Sequence, residues 1–479
     1  MKNGNFIKNV SCGIFLFGLS QAQADTPPNF LVILADDLGW GDVGFNGCRD
    51  IPTPNLDRLA SSGAVCTTAY ATHPYCGPSR AGLLTGRMQQ RFGNVINPPF
   101  APADSKIGLS PNEKTFAGYL QDAGYYTGII GKWHLGAAEE CQPLDRGFDY
   151  FFGFLGGGRD YFPDLYPPED AVWNNLQDVW YYYKLPLSRG RHKVPDARGY
   201  LTDLFTDDAV GFIRKNKNNP FFLYLAYNAP HTPLTAKKED LARFAGIADE
   251  KRRTYAAMVS SMDQGIGRVL EALDQYDLRK NTLVIFASDN GGKLPQSDNG
   301  PLNGEKGSCL EGGFRVPLAV SWPGHIPAGQ KFDGIVSLLD VAATATSLAG
   351  AVPDTERPLD GVNLIPWLTG QKSGNPHDTV FAERYFNTDP DVGTWACRSG
   401  DFKLVQYKLD GTPCLYNLAD DIGETHNIRA AFPEKAQKLQ AEYDAWRKLH
   451  VPPAWGWKEE GGYDVRYTSM QESRKAFDN

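Results

Sequence analysis

Four short apolar runs, each broken off by charged or metal-liking side chains, constrain this chain more than any other feature. Phe30 to Ala35 (FLVILA) runs into Asp36-Asp37, and Tyr125 to Ile130 (YYTGII) runs into Gly131-Lys132-Trp133-His134. Phe221 to Tyr227 (FFLYLAY) runs into Asn228-Ala229-Pro230-His231, and Leu283 to Ala287 (LVIFA) into Ser288-Asp289-Asn290-Gly291. None of the four alternates apolar with polar residues, which is the pattern of strands buried on both faces of a parallel sheet. Between them, Tyr255, Met258, Val259, Met262, Ile266, Val269, Leu270 and Leu273 keep a helical i, i+3, i+4, i+7 spacing, and Glu113 to Ala123 predicts a shorter helix. Strands alternating with helices predict an α/β fold, a large, mostly parallel sheet sandwiched by helices. Ligands of open α/β sheets bind beyond the carboxyl ends of the strands. Four ends rich in Asp, Lys, His and Asn therefore predict one site at one edge of the sheet.

The texture changes after about Gly370. Asp378 to Glu383 and Phe402 to Tyr407 predict strands of a small antiparallel sheet, and Pro433 to His450 an amphipathic helix with Ala436, Leu439, Tyr443 and Trp446 on one face. Residues 371–479 are thus expected to form a smaller C-terminal α+β unit behind a main domain of 25–370. Residues 1–24 read as a cleavable secretory leader: Lys2 and Lys8, an apolar core from Val10 to Leu19, and the small-x-small site Ala22-Gln23-Ala24. That predicts a secreted or periplasmic protein. No later segment approaches the ~20 apolar residues of a spanning helix, and no cysteine follows the cleavage site, so no membrane anchor is expected. The net charge of −8 speaks against a nucleic-acid partner. Beyond Cys12 in the leader stand Cys48, Cys66, Cys76, Cys141, Cys309, Cys397 and Cys414. An odd number in an exported protein points to a thiol with chemistry of its own. Cys397 and Cys414 bracket what reads as a hairpin and are the candidate disulfide.

Residues Cys76 to Arg87 read C-G-P-S-R-A-G-L-L-T-G-R. Pro78 suits the first turn of a helix, where its missing N–H costs nothing. Cys76 then sits where the positive end of the helix dipole stabilises anionic species, with Arg80 close enough in sequence to turn back toward it. By themselves these residues describe either an activated cysteine or a buried structural one beside a helix cap. The string C-x-P-S-R-x-x-x-L-T-G-R resembles the signature of the type I, formylglycine-dependent sulfatases of the alkaline phosphatase superfamily, with every fixed position present. The resemblance continues through GKWHLG (Gly131–Gly136), APHTP (Ala229–Pro233), SDNG (Ser288–Gly291), EGGFRVP (Glu311–Pro317) and LYNL (Leu415–Leu418), with Glu424 and Asn427 after it.

Asp36, Asp37, Asp289 and Asn290 offer only oxygen ligands, which suit a hard cation, Ca²⁺ or Mg²⁺, rather than zinc. Taken separately, Asp36-Asp37 also reads as a helix cap and Asp289-Asn290-Gly291 as a tight turn. The resemblance favours Ca²⁺ and implies that a maturase oxidises Cys76 to formylglycine, whose hydrate is both nucleophile and metal ligand. It further implies that Arg80 stabilises the hydrate, and that Lys132 and Lys306 contact nucleophile or sulfate. His231, with Lys306, would protonate the leaving oxygen, and His134 would deprotonate the remaining hydroxyl so that sulfate departs.

The stretch Gly156 to Tyr200 fits the family pattern least. It holds Tyr161, Phe162, Tyr166, Trp173, Trp180, Tyr181, Tyr182 and Tyr183, then Arg189, Arg191, His192, Lys193 and Arg198. Aromatic faces stack on sugar rings, and a basic loop suits a polyanionic glycan. The same residues also read as an insert packed on its own aromatics with a solvated basic tip. Arg159, Asp160, Arg189 and Arg191 are the candidate substrate contacts. The expected activity is sulfate-ester hydrolysis on a sulfated carbohydrate, either an algal galactan such as carrageenan or a glycosaminoglycan. The competing readings are a phosphomonoesterase or phosphodiesterase of the same superfold, and a binding protein on an inactive scaffold. The cysteine, the lysine pair and the single hard-cation set argue against the first, and the filled catalytic positions against the second.

Overall fold

The structure is a computed structural model that describes Met1 and residues 27–167, 169–174, 181–386, 389–409 and 411–456. Residues 2–26 with Cys12, Trp180 and residues 457–479 lie outside the described residues. Among the described residues a ten-stranded sheet organises the molecule. Its centre is five parallel strands in the order Thr282–Ser288, Asn29–Ala35, Phe221–Ala226, Tyr126–Lys132 and Tyr150–Phe154. These include all four apolar runs. Antiparallel strands extend both edges: Leu318–Ser321 beside Thr282–Ser288, and Leu187–Arg189 beside Tyr150–Phe154.

The missing alternation has a direct cause. Phe30, Val32 and Leu34 belong to a core beneath the Cys76–Thr85, Phe116–Asp122 and Leu339–Leu348 helices. Leu31, Ile33 and Ala35 belong to the opposite core, under the Leu201–Asn216 and Glu250–Gln275 helices. With both faces dry, successive side chains pointing opposite ways must all be apolar. The helical spacing from Tyr255 to Leu273 is the buried face of Glu250–Gln275. The shorter helix begins at Phe116 rather than Glu113, because Thr115 caps it by accepting a hydrogen bond from the Gly118 N–H at 3.2 Å.

The C-terminal sheet has four antiparallel strands, Thr379–Phe386, Asp389–Ser399, Phe402–Gln406 and Cys414–Asn417. Val380, Ala382, Ala396 and Val405 join the main core, while Trp395, Cys397, Leu404 and Leu415 pack against Ala436, Leu439, Tyr443 and Trp446 of the Pro433–Arg447 helix. The candidate disulfide is not formed: the seven cysteines from Cys48 to Cys414 are all free thiols. Cys397 lies opposite Leu404, and Leu404 opposite Leu415. A whole strand thus separates Cys397 from Cys414, about 10 Å across two inter-strand spacings, beyond disulfide reach. Among the described residues, no helix is long and apolar enough to cross a membrane.

Candidate active site

The parallel register brings the four strand ends level. Ala35 pairs with Ser288, Leu34 with Ala226, and Gly131 with Ala226. Asp36 N–H donates to the Ala229 carbonyl at 3.0 Å and Asp289 N–H to the Ala35 carbonyl at 3.1 Å, lacing the ends together. Asp36, Asp37, Lys132, His134, Asp289 and Asn290 are therefore buried neighbours although up to 254 positions apart in the chain. Cys76 reaches the same spot from the first turn of its helix, also buried.

The charges alternate. Asp36 accepts Lys132 Nζ at 2.7 Å and lies 3.7 Å from Arg80 Nη2. Asp289 takes Arg80 Nε at 2.9 Å and Nη2 at 2.8 Å. Asp37 takes Lys306 Nζ at 2.7 Å and Asn290 Nδ2 at 2.8 Å, with His231 Nε2 3.7 Å away. Cys76 Sγ sits 3.1 Å from Lys306 Nζ and 3.8 Å from Asp37 Oδ1. Ion pairs removed from water this completely hold together because every charge has an opposite partner.

Burial and the charged partners together decide the protonation states. It raises the Cys76 thiol to about 12 despite the lowering charges of Lys132 and Lys306, so the side chain is a thiol and no thiolate nucleophile. Burial also raises the Asp289 carboxyl, helped by Asp36 and opposed by Arg80, to about 6. Asp37 feels the same burial, but Lys306 and His231 outweigh it and hold its carboxyl well below the usual range. Lys306 is raised because Asp37 overcomes its burial, so it keeps its charge. Both imidazoles are neutral: burial and the surrounding cations lower His134 far below 6.5, and burial lowers His231 to about 3 against the pull of Asp37.

The donor set fits a hard cation. Asp36 Oδ1 and Asn290 Oδ1 are buried and accept no hydrogen bond, although such acceptors normally find a donor. Asn290 turns its amide nitrogen to Asp37 and to the Gly291 carbonyl, which leaves its oxygen to face the site. Asp36, Asp37, Cys76 and His231 each place a ligand atom within 4.8 Å of the others. Carboxylate and amide oxygens are the ligands of Ca²⁺ and Mg²⁺.

Asp37 and His134 have φ of 65° and 58°, in the left-handed region that non-glycine residues seldom occupy. Tyr255 Oη supports the first turn, accepting the Gly39 N–H at 3.2 Å and donating to Asp42 Oδ2 at 2.7 Å. His134 lies against Gly157, where a Cβ would fall 2.7 Å from His134 Nε2, so only glycine leaves the ring its place.

The residues expected to bind substrate divide. Gly158, just before Arg159, packs on Tyr183, whose hydroxyl feels the charges of Asp36 and Lys306, so part of the aromatic stretch borders the site. Arg159 itself is fully buried, donates to the Leu185 carbonyl and stacks over Tyr166 at 5.0 Å, which makes it a support for that wall. Asp160 is half-buried beside it, its N–H donating to the Tyr183 carbonyl at 3.3 Å. Arg189 and Arg191 are not brought to the site. Arg189 lies opposite Phe152, two residues short of the strand's carboxyl end, and pairs with Asp208 at 2.6 Å. Arg191 pairs with Asp145 at 2.8 Å, before that strand begins. The antiparallel direction of the Leu187–Arg189 strand carries the basic stretch toward the opposite edge of the sheet. Sequence reasoning missed Tyr255, Gly157 and also Arg384, which donates at 2.8 Å to the carbonyl of Gly307, next to Lys306. Only the glycine run of Gly157 carries a sequence signal.

The sulfatase family model matches residues 28–351, and that of the N-sulphoglucosamine sulphohydrolase C-terminal region matches residues 305–448. Human N-acetylgalactosamine-6-sulfatase is 36% identical over 456 residues, covering 88% of this chain and 85% of that protein. The uncharacterized sulfatase YdeN of Escherichia coli is 30% identical over 511 residues, covering 89% and 86%. The solved structure of Ps i-CgsB in complex with k-i-k-neocarrahexaose is 38% identical, with a TM-score of 0.85 over 95% of this chain and all of that one. This chain belongs to the sulfatase family, and its chemistry is the hydrolysis of sulfuric esters.

Proposed function

We propose that the protein removes sulfate from a galactose-type sugar of a sulfated polysaccharide, a galactan such as carrageenan, through a formylglycine made from Cys76 by a maturase. The observation that carries the chemistry is the placement of Cys76. It is a buried thiol at a helix start, within 3.1 Å of Lys306 and facing Asp37, in a setting that leaves the thiol itself unreactive. The substrate class is supported by the bound neocarrahexaose of one relative and the N-acetylgalactosamine 6-sulfate chemistry named for another. Both are galacto-configured. The second name also supports a glycosaminoglycan as the alternative substrate.

Formylglycine supplies, as its hydrate, one hydroxyl to attack sulfur and a second to expel the sulfate afterwards. Asp36, Asp37, Asp289 and Asn290 would hold Ca²⁺, or Mg²⁺ in its place, whose charge favours a deprotonated hydroxyl and screens it from the anionic ester. Arg80, locked onto Asp289, holds a fixed cation beside position 76. Lys132 and Lys306 add two more, set before substrate arrives, so the charge spreading over the sulfate oxygens meets oriented partners. His231 Nδ1 donates to the Thr232 carbonyl at 2.6 Å, which leaves Nε2 with its lone pair toward the site. An anionic ester beside it raises its proton affinity and lets it, with Lys306, deliver a proton to the leaving oxygen. His134 is neutral and its Nδ1 is unpartnered, which suits it to take a proton from the second hydroxyl. Arg159 and Asp160 back the aromatic wall against which the sugar would stack. Residues 1–24 would act as the export leader and place the mature protein outside the cytoplasm.

The test is sulfate release from carrageenans, other algal galactans and glycosaminoglycans, as polymers and oligosaccharides, by enzyme coexpressed with a maturase. Mass spectrometry of the Cys76 peptide checks the oxidation. Release from a galactan, abolished in Cys76→Ala, supports the reading. Release from glycosaminoglycans alone replaces the galactan, and release from no glycan by protein carrying the aldehyde overturns the carbohydrate assignment.

A further inference from the structure

Arg384 lies on the Thr379–Phe386 strand of the small sheet, outside every motif of the reaction centre. Its Nη1 donates to the Gly307 carbonyl at 2.8 Å. Its guanidinium carbon stands 4.8 Å from the ring centre of Tyr75 and 4.2 Å from that of Phe386, so two aromatic faces hold the plane. Among the described residues Arg384 has no carboxylate partner, unlike Arg80, Arg189, Arg191, Arg252 and Arg398, each of which has one. A half-buried guanidinium with a fixed plane and spare N–H groups matches an oxyanion, which it binds through two parallel hydrogen bonds.

Its position is specific. Gly307 follows Lys306 and Tyr75 precedes Cys76, and the Gly307 N–H donates to the Pro74 carbonyl at 2.9 Å. Arg384 is thus anchored to the immediate neighbours of both residues that face each other across the reacting position. The packing there is tight: a Cβ on Gly307, which has φ of 83°, would come within 2.6 Å of Tyr75 Oη and 3.1 Å of Arg384 Nη1. His73, buried behind Tyr75, braces the same segment. Its Nδ1 accepts the Tyr75 N–H at 3.1 Å, so the neutral ring carries its proton on Nε2. That Nε2–H is buried without a partner. Burial, reinforced by the charge of Arg384, holds His73 down at about 3, so it stays neutral.

We propose that Arg384 forms a second oxyanion subsite at the rim of the active site, with His73 as a positioning residue behind Tyr75, and that the subsite binds a further sulfate or carboxylate of the glycan while one sulfate is hydrolysed. The subsite rests on the carbohydrate reading given above. It makes the enzyme selective for polyanionic chains over singly sulfated ones, and it places that selectivity in the C-terminal sheet.

The experiment compares three oligosaccharides on the matured enzyme: one with the scissile sulfate alone, one with a second sulfate, and one with a uronate in place of the second sulfate. Wild type, Arg384→Ala, Arg384→Lys and His73→Gln are assayed for kcat and KM. In Arg384→Ala the ratio of kcat/KM, two anions over one, is expected to fall by roughly tenfold or more, through KM. Arg384→Lys restores part of the ratio because it keeps the charge but loses the planar fork. Loss of the ratio in the disulfate arm alone identifies a sulfate subsite, and in the uronate arm a carboxylate subsite. Proportional losses on all three substrates mark Arg384 as a structural support and overturn the proposal. So does a wild type that cleaves glycans without preferring a second anion, which leaves the carbohydrate reading standing. A wild type that cleaves aryl sulfate and no glycan overturns both.

Discussion

At the scale of single residues, the site depends on side chains held where water and free rotation would not leave them. His134 shows this best. Its left-handed φ turns the ring back toward Gly157, and the absent Cβ of that glycine makes the space. Gly157→Ala is expected to push the imidazole aside and to lower kcat by about a hundredfold, the cost of a displacement near 1 Å. Sulfate release from an aryl sulfate, with circular dichroism to confirm the fold, checks it. Asp289→Ala removes the partner of Arg80 and one expected metal ligand together. Activity should be lost and not restored by excess Ca²⁺, whereas chelator-treated wild type should recover when Ca²⁺ is returned; both are read as sulfate release. His73→Gln, by contrast, loosens Tyr75, on which Arg384 stacks, and should change KM before kcat.

At the scale of elements, each helix and strand is decided by what covers it. The central strands are apolar throughout because both faces are dry. The Pro433–Arg447 helix is amphipathic because only the small sheet covers it. Phe381 stacks on Trp446 with ring centres 4.6 Å apart, and Trp395 on Tyr443 at 4.1 Å. Trp446→Ala opens a cavity in this satellite core and should cost about 3–5 kcal/mol, measured as a lower midpoint in urea unfolding. The face carrying Ala436, Leu439, Tyr443 and Trp446 was legible from spacing alone. The Asp389–Ser399 and Cys414–Asn417 strands were not, because pairing partners rather than local pattern define edge and hairpin strands. The Cys397–Cys414 pair misled for the same reason: neighbours across a loop in sequence are separated in space by the Phe402–Gln406 strand.

At the scale of the whole molecule, buried ions fasten the small antiparallel sheet to the segment that carries Glu311. Lys403 of the small sheet is fully buried and pairs with Glu311 at 2.9 Å and Glu424 at 2.8 Å. Burial raises the Glu311 carboxyl, but Lys403, Arg315 and Arg398 more than cancel this and bring it to about 2. Lys403→Met leaves two carboxylates facing each other in the dark of the interface and should cost about 3–5 kcal/mol, seen in thermal or urea unfolding. A second tie is titratable. His377 lies 2.7 Å from the buried Asp340, which also accepts the N–H groups of Ser337 and Val362 at 2.8 Å. Burial lowers His377, but Asp340, Asp378 and Asp360 outweigh it and raise the imidazole above 6.5. The folded state then binds a proton that the unfolded state releases. The stability this contributes is full below about 6.5 and is lost as pH rises through the higher folded value. His377→Gln should flatten that part of the stability–pH curve, followed by unfolding midpoints from pH 6 to 8.

The chain alone determined the four central apolar strands and the amphipathic helices, and it singled out the polar residues that the fold gathers at their carboxyl ends. A strand buried on two faces must be apolar along its length, and the residues that end it must be polar. Asp36, Lys132, His231 and Asp289 stood out as interruptions of that pattern, and Cys76 through a local string of fixed spacing. Only the tertiary structure decided what surrounds them. Arg384 comes from another sheet, Gly157 matters for a side chain it lacks, and Arg189 and Arg191 are turned from the site by the direction of one antiparallel strand. Such relations depend on which backbone passes which. They are set by packing between segments far apart in the chain, where no local periodicity records them.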